Sequence, residues 1–255
     1  MVHFVGAGPG APDLITLRGM KLLAAADMII YAGSLVNPEL LSYAGKEAKI
    51  LDSAKMTLEE VIKVICEAHA AGLEVVRLHT GDPCLYGAVR EQMDLLLEKN
   101  IPFDSCPGVS SFCGAASALN LEYTLPGISQ TVILTRMEGR TPVPEKEDIR
   151  LLAGHQATMV IFLSAHRADK LSARLIEGGY HPDTPAAVVY KATWEEERKY
   201  LCTVGTLAET MRKNEITHTA LLIIGDVVKT SSYERSKLYD PTFTTGYRKG
   251  KEKAE

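Results

Sequence analysis

The sequence predicts an α/β fold with two domains. Short apolar runs alternate with amphipathic segments of helical period, a pattern typical of parallel strands that helices cover. Glycine-rich turns directly follow two of these runs. The pattern is interrupted near residues 121–130, where Leu125, Pro126 and Gly127 stand together. We therefore expect an N-terminal α/β domain over 1–121, a C-terminal α/β domain over 122–230 and a polar basic tail over 231–255.

The elements of the first half follow from period and capping signals. Apolar runs predict strands over 2–5, 28–31 and 74–78. A helix over 16–25 has Thr16 as its N-cap, and a helix over 57–71 begins with Thr57 and Glu60 at the spacing of a capping box. Another helix is expected over 86–98. These elements predict a largely parallel sheet with helices on both faces.

The second half is also α/β but more mixed, so we expect a mixed sheet. Strands are predicted over 131–135, 158–163, 186–190, 199–203 and 220–224. Helices are expected near 167–177 and 206–213. From Lys229 onward the chain is polar and basic with few aliphatic residues, which predicts a frayed tail.

Composition limits the class of protein. The 255 residues are 46% hydrophobic with a net charge of −4, which does not suggest a nucleic-acid partner. No apolar stretch approaches the roughly 18–20 residues that cross a bilayer, and no basic segment precedes an apolar run at the N-terminus. We expect a cytoplasmic protein without a membrane partner. The five cysteines are scattered without a C-x-x-C pair, so no disulfide framework or metal site is predicted.

The first informative motif is the glycine-rich turn at residues 6–10, directly after the first strand. Glycines there let the backbone turn sharply and approach a ligand. The dinucleotide fingerprint needs a later third glycine and an immediate helix, whereas Pro9 removes an N–H and Pro12 and Asp13 delay the helix. A pyrophosphate cradle is therefore not expected, and a purely structural turn stays an alternative.

Two further loops share this character. Residues 80–83 (Thr-Gly-Asp-Pro) follow the strand at 74–78, and ligands of open α/β sheets bind outside the carboxyl ends of strands. A plain type I turn is the alternative. Residues 107–112 lead into a helix of small residues, whose first amides and hydroxyls suit a carboxylate or ribose; close packing is the competing explanation. We expect the first two turns on the same edge of one sheet.

Together these three loops resemble the tetrapyrrole methylases over about residues 2–228. The resemblance implies a two-domain fold that binds S-adenosyl-L-methionine, in a folded conformation, in the cleft between the domains. It also implies S-adenosyl-L-homocysteine as product, a homodimer and a tetrapyrrole or corrinoid substrate. Stretches at 31–38, 90–93, 125–131, 135–142 and 189–194 are similar to family members that methylate carbon 11 of a corrinoid precursor on the route to cobalamin.

The resemblance also implies individual contacts. Cofactor contacts are expected from Pro9, Gly81, Asp82, Leu85, Ser110, Ser111, Leu163 and Ala192. Uroporphyrinogen methylases resemble this chain around Tyr31 but carry an acidic residue next, where Ala32 stands here. No general base or other catalytic residue is therefore assigned. The sulfonium methyl is already electrophilic, so positioning should supply most of the acceleration.

The expected substrate carries many carboxylates, so a locally basic lining is needed. Arg136 and Arg140 are the candidates, because guanidinium groups bind carboxylates bidentately; a solvated loop is the alternative. Trp194 either stacks on the macrocycle or packs at a strand end. Rival hypotheses are methylation of another ring carbon, a protein-modifying methylase of this fold, a nicotinamide oxidoreductase and a non-catalytic tetrapyrrole carrier.

Overall fold

The chain forms two compact units. A computed structural model describes residues 1–230 and 232–251. The first unit comprises Met1–Ala118 together with Lys191–Arg198, and the second comprises Leu119–Tyr190 together with the chain from Lys199 onward. The first unit therefore includes a short segment from the second half of the sequence. The division after residue 121 stays a prediction of domain organisation.

The first unit contains a five-stranded parallel sheet. Its strands lie in the order β3-β2-β4-β1-β5, and the pairings of known direction are all parallel. The strands are β1 (Val2–Gly6), β2 (Met28–Tyr31), β3 (Lys49–Asp52), β4 (Val75–His79) and β5 (Phe103–Cys106). The helices are α1 (Leu17–Ala25), α2 (Leu58–Ala70), α3 (Arg90–Glu98) and α4 (Ser111–Leu119).

Helices cover both faces of this sheet, as predicted. Successive strand residues point to opposite faces, so Phe4 and Val5 enter different cores. Phe4 packs in a cluster with Ile65 of α2 and Leu96 of α3. Val5 packs in a second cluster with Leu23 of α1. The carboxyl ends of all five parallel strands therefore lie at one edge, between two covered faces.

Helices begin at the predicted residues where the capping signals in the sequence are strong. The Thr16 side chain accepts a hydrogen bond from Gly19 N at 3.1 Å, and Thr57 and Glu60 form the expected capping box. The predicted start of α3 at residue 86 is wrong, because Tyr86 and Ala88 have φ angles of 55° and 49°, which a right-handed helix excludes. That helix begins at Arg90.

The second unit contains a mixed sheet, as predicted. Its order is β6-β7-β10-β8-β9, with β6 parallel to β7, and β10 antiparallel to both β7 and β8. The strands are β6 (Val132–Arg136), β7 (Thr158–Phe162), β8 (Pro185–Tyr190), β9 (Arg198–Thr203) and β10 (Ala220–Ile224). The helices are α5 (Ile149–Ala153), α6 (Ala168–Glu177) and α7 (Leu207–Lys213).

The described part of the tail, residues 232–251, forms several hydrogen bonds, and the expectation of a frayed end stays a prediction. Arg248 Nη2 donates to the carbonyls of Leu238 and Asp240 at 3.1 and 2.6 Å, and Glu234 N donates to Pro126 O at 3.1 Å. Lys253 and the remainder of the tail lie outside the described residues. Among the described helices, none is long and apolar enough to cross a membrane.

Candidate functional site

The loops after β1 and β4 are joined to each other by their backbones. Ala7 N donates to His79 O at 2.7 Å, Gly8 N donates to Gly81 O at 3.2 Å, and Gly81 N donates to Gly8 O at 2.9 Å. The Gly8–Gly81 pair forms a short antiparallel bridge. The expectation that both turns lie on one edge of one sheet is confirmed.

The loop after β5 joins the other two by close backbone contact. A Cβ atom on Gly108 would lie 2.2 Å from Gly81 O and 2.7 Å from Gly6 Cα. A Cβ on Gly6 would lie 2.6 Å from Gly108 Cα. These neighbours are backbone atoms that cannot rotate away, so only glycine fits at Gly6 and Gly108. These two glycines therefore serve the approach of the loops to one another.

Asp82 connects the second loop to the third. Its Oδ2 accepts a hydrogen bond from Gly108 N at 3.0 Å, and its Oδ1 accepts one from Cys84 N at 2.8 Å. Partial burial raises the pKa of Asp82, but the hydrogen bonds from Cys84 and Gly108 lower that pKa by a larger amount. The net pKa therefore lies below its usual value. Asp82 is thus an ionised carboxylate. Half-buried Leu85 continues the same turn and donates from its N to Asp82 O at 3.2 Å.

Ser110 and Ser111 lie beside Gly81 at the start of α4. A Cβ placed on Gly81 would be 3.5 Å from Ser110 Cα and 3.6 Å from Ser111 N. Ser110 is only 7% exposed, and its hydroxyl makes no side-chain hydrogen bond with any residue that the structure describes. A hydroxyl beside a helix N-terminus can bind a polar ligand.

Pro9 and Ala192 also belong to the first unit. Pro9 is buried, and its carbonyl accepts a hydrogen bond from Trp194 Nε1 at 3.2 Å. Ala192 is buried two residues before Trp194. The Trp194 ring lies against Gly10, where a Cβ would be 2.2 Å from Trp194 Cδ1. Of the two hypotheses for Trp194, this contact supports packing.

Two side chains to which the sequence assigned no individual role hold the neighbouring loops. Asn37 Nδ2 donates to Gly10 O at 3.0 Å. Asp52 Oδ1 accepts from Gly33 N and Ala54 N at 3.1 and 2.8 Å, which ties the loop after β2 to the end of β3. Asn37 and Gly33 lie within the motif at 31–38, so their position in that motif was the available signal.

A buried arginine supports the loop that carries Asp82. Arg77 donates from Nε to Gln92 Oε1 at 3.0 Å and from Nη1 to Ile30 O at 2.9 Å. Gln92 in turn donates to Ala88 O at 2.8 Å. Burial lowers the pKa of Arg77 to about 10, so the guanidinium stays charged at neutral pH. The sequence signal was a single charge inside an apolar strand.

His79, at the end of β4, is buried without a partner for one ring nitrogen. It is 4% exposed, its ring stacks near Phe4 at 6.2 Å between centroids, and no described residue bonds its Nε2. Burial, and secondarily the charge of Arg77, lower the pKa of His79 to about 3. The imidazole is therefore neutral at physiological pH.

The remaining predicted residues lie in the second unit. Arg136 pairs in register with Phe162, so Arg136 and Leu163 share one edge of the mixed sheet. Arg136 donates to Pro142 O at 2.7 Å, Thr141 O at 3.3 Å and Met137 O at 3.4 Å. Leu163 is 58% exposed with a φ of 52°.

Arg140 is exposed and lines an open surface pocket together with Glu138 and Asp148. Within the described part of the chain it forms no ion pair. Arg136 thus ends β6 and its side chain holds carbonyls of the following loop, on which Arg140 lies.

Comparison with known proteins decides the family. The family model of tetrapyrrole (corrin/porphyrin) methylases matches residues 1–208. The chain is a tetrapyrrole methylase. The methylase is 53% identical to the cobalt-precorrin-4 C(11)-methyltransferase of Methanocaldococcus jannaschii over 99% of this chain and 97% of the relative. It is 43% identical to the precorrin-4 C(11)-methyltransferase of Mycobacterium tuberculosis over 93% of this chain and 95% of the relative.

Solved structures agree with this placement. The methylase matches the X-ray structure of a cobalt precorrin-4 methyltransferase with a TM-score of 0.88 and 44% identity, over 90% of this chain and 96% of the other. It matches a uroporphyrin-III C-methyltransferase from Thermus thermophilus, complexed with S-adenosylhomocysteine, with a TM-score of 0.75 and 26% identity, over 91% and 95%. The predicted two-domain fold class of this family and the predicted methyltransferase activity are confirmed.

Proposed function

We propose that this methylase transfers the methyl group of S-adenosyl-L-methionine to carbon 11 of precorrin-4 or cobalt-precorrin-4 in cobalamin biosynthesis. The observation that carries the proposal is 53% identity along nearly the whole chain to a relative named for that reaction. Relatives named for the cobalt-containing and the cobalt-free substrate both match over more than nine-tenths of the chain. Both substrates are therefore included.

The first unit supports S-adenosyl-L-methionine as methyl donor. The open hydroxyl of Ser110 and the amides at the start of α4 suit a ribose or carboxylate, and ionised Asp82 suits a cationic ligand nearby. The related uroporphyrin-III enzyme is complexed with S-adenosylhomocysteine. The proposed contacts remain Pro9, Gly81, Asp82, Leu85, Ser110, Ser111, Leu163 and Ala192.

The proposed mechanism depends on orientation. When bound, the donor supplies an electrophilic methyl group on a sulfonium. The chain contributes loops that backbone contacts already hold in place before the donor binds. This preorganisation lowers the entropic cost of aligning the methyl group with the ring carbon. Asp82 is not proposed as a base, because a carboxylate with a lowered pKa and two N–H donors is a weak proton acceptor.

Arg136 and Arg140 are proposed to bind substrate carboxylates. Arg136 has five N–H donors, of which three contact loop carbonyls, so two remain for a carboxylate. We expect Arg136→Ala to raise the KM for the tetrapyrrole about tenfold, the loss of one charge-assisted hydrogen-bonded contact, without weakening cofactor binding. Exposed Arg150 of α5 offers a control, since Arg150→Ala should leave the KM unchanged. An unchanged KM in Arg136→Ala would remove Arg136 from the site.

We also propose that the methylase is a cytoplasmic homodimer, as its resemblance to the family implies. Light scattering during size-exclusion chromatography tests the dimer. A mass near the 27.8 kDa of one chain would contradict it.

Product analysis tests the reaction itself. The methylase would be incubated with methyl-¹³C-labelled S-adenosyl-L-methionine and precorrin-4, with and without cobalt, and the label located by carbon NMR. We expect the label on carbon 11. Label on another ring carbon would overturn the assignment, and label on a protein acceptor would favour a protein-modifying methylase.

A further inference from the structure

Two side chains from the segment Lys191–Arg198 hold the backbone of the glycine-rich loop at residues 9–11. Trp194 Nε1 donates to Pro9 O at 3.2 Å. Ala11 N donates to Thr193 Oγ1 at 3.0 Å. The Trp194 ring also occupies the space beside Gly10, where a Cβ would lie 2.2 Å from Cδ1 and 2.4 Å from Nε1. The Pro9 carbonyl and the Ala11 amide, on either side of Gly10, are thus both hydrogen-bonded to side chains of this segment.

The segment that supplies these side chains has an uncommon backbone. Lys191 and Thr193 have φ angles of 46° and 70°, in the left-handed region that non-glycine residues rarely adopt and that is most costly for β-branched ones. Such strain persists only where surrounding contacts enforce it, and it is concentrated at functional sites. The strain here brings Thr193 and Trp194 onto the loop.

Several contacts hold the strained turn in place. Lys191 Nζ pairs with Glu196 at 2.8 Å and lies 5.4 Å from the centroid of the Trp194 ring. Thr193 N donates to Glu197 Oε2 at 2.7 Å. On the other side, Gly114 of α4 leaves room for both partners, since a Cβ there would lie 3.0 Å from Pro9 Cβ and 3.1 Å from Thr193 Cγ2.

We propose that Thr193 and Trp194 are positioning residues that fix the glycine-rich loop in the conformation that receives the cofactor. The inference rests on the proposed binding of S-adenosyl-L-methionine by this loop. Neither side chain needs to touch the ligand. Without the two hydrogen bonds, the Pro9 carbonyl and the Ala11 amide are released, and binding must then order the loop at a cost in affinity. Gly10 is required because any larger residue would displace the Trp194 ring.

Calorimetric titration with S-adenosylhomocysteine tests the two hydrogen bonds separately. Trp194→Phe keeps an aromatic ring but loses the N–H to Pro9. Thr193→Val keeps the shape but leaves the Ala11 amide unpaired. We expect each to raise the Kd about threefold to tenfold, the usual effect of one hydrogen bond. Exposed neighbouring Glu195 provides the control, and Glu195→Ala should leave the Kd unchanged.

Kinetics separate positioning from general damage to the fold. Loss of positioning should raise the KM for S-adenosyl-L-methionine while kcat at saturating cofactor changes less. An unchanged Kd in both Trp194→Phe and Thr193→Val would overturn the proposal. If wild-type protein itself does not bind S-adenosylhomocysteine, the proposed function fails and the cofactor role of these two residues fails with it.

A double-mutant cycle on the ligand-free protein checks the contact independently of activity. Gly10→Ala should lower Tm because its Cβ collides with the Trp194 ring, and Gly10 itself lacks the positive φ that would strain alanine. In a Trp194→Ala background the collision is absent, so Gly10→Ala should have little further effect on Tm. Additive effects of the two substitutions would overturn the proposal, because they would mean that Gly10 and Trp194 act separately.

Discussion

The loop systems of the two units differ in the contacts that predominate. In the first unit the loops after β1, β4 and β5 meet backbone to backbone, with glycine at Gly6, Gly81 and Gly108, and Asp82 adds one side-chain hydrogen bond between them. In the second unit the loop after β6 is held by side chains. Arg136 binds its own loop carbonyls, and Glu138 pairs with Lys170 at 2.5 Å.

This difference affects how the two loop systems can respond to ligands. Close backbone contacts between glycines leave no side chains to rearrange, so the first system should change little when a ligand binds. Side-chain contacts of partly exposed groups are individually weak and can be exchanged. The second system should therefore rearrange more readily, which would suit the proposed binding of substrate carboxylates there. The two systems should differ sharply in their tolerance of substitution.

The largest expected difference is between two glycine-to-alanine substitutions. Gly108→Ala places a Cβ 2.2 Å from Gly81 O, so we expect the free energy of unfolding to fall by about 3 kcal/mol and binding of S-adenosylhomocysteine to be lost. Gly139→Ala meets nothing within 4 Å in the second loop, so both quantities should be unchanged. Urea denaturation and calorimetry measure them. Equal effects of the two substitutions would contradict the comparison.

The hydrogen bonds of Arg77, which support the loop after β4, should also be sensitive to substitution. Gln92→Leu removes the acceptor of Arg77 Nε and the donor to Ala88 O, leaving a buried charged donor unpaired. We expect a loss of about 2–3 kcal/mol in the free energy of unfolding. Asp94→Ala, on the same helix, breaks only the exposed pair with Arg90 and should change stability little. A Gln92→Leu variant as stable as wild type would show that Arg77 finds another acceptor.

His79 should make the stability of the first unit depend on pH. Because its pKa is lowered from 6.5 to about 3, the unfolded chain takes up a proton below pH 6.5 that the folded state does not. Stability should thus fall as pH falls, by about 2 kcal/mol between pH 6.5 and 5. His79→Leu should remove this dependence without loss at pH 7, since Nε2 has no described partner.

Denaturation curves at several pH values measure this effect. Exposed His155 is the control, and His155→Gln should keep the wild-type pH dependence. An unchanged pH dependence in His79→Leu would contradict the assignment of His79 as a buried neutral imidazole.

The smallest expected effect concerns strain at the edge of the second unit. Leu163 is 58% exposed with a φ of 52°, so Leu163→Gly relieves strain and should gain about 0.5 kcal/mol. If Leu163 contacts the cofactor as proposed, affinity for S-adenosylhomocysteine should nevertheless fall. Glu215→Gly, also exposed with a φ of 56°, should gain similar stability without any change in affinity. Equal affinities in both variants would remove Leu163 from the site.

The sequence predicted what local patterns determine. Strands β1, β2 and β4, the cap at Thr16 and the capping box at Thr57 follow from period and spacing. The edge strands β3 and β5 were not predicted, because their four residues each form neither an apolar run nor an alternation of apolar and polar side chains.

In the candidate site, the meeting of the glycine turns was predictable because parallel strands end at one edge. The hydrogen bonds from Trp194 and Thr193 were not predictable. They join residues more than 180 positions apart, and no local pattern encodes such a contact. The charge of Arg77 inside an apolar strand was visible in the sequence. Its role could not be predicted, because its partner Gln92 lies on the following helix.

A crystal structure of the methylase with S-adenosylhomocysteine would test the proposed cofactor site. We expect the ligand to contact the Ser110 hydroxyl and the backbone at Gly81, with the three glycine-bearing loops in their present arrangement. Ligand bound elsewhere, with the Ser110 hydroxyl still unpaired, would contradict it.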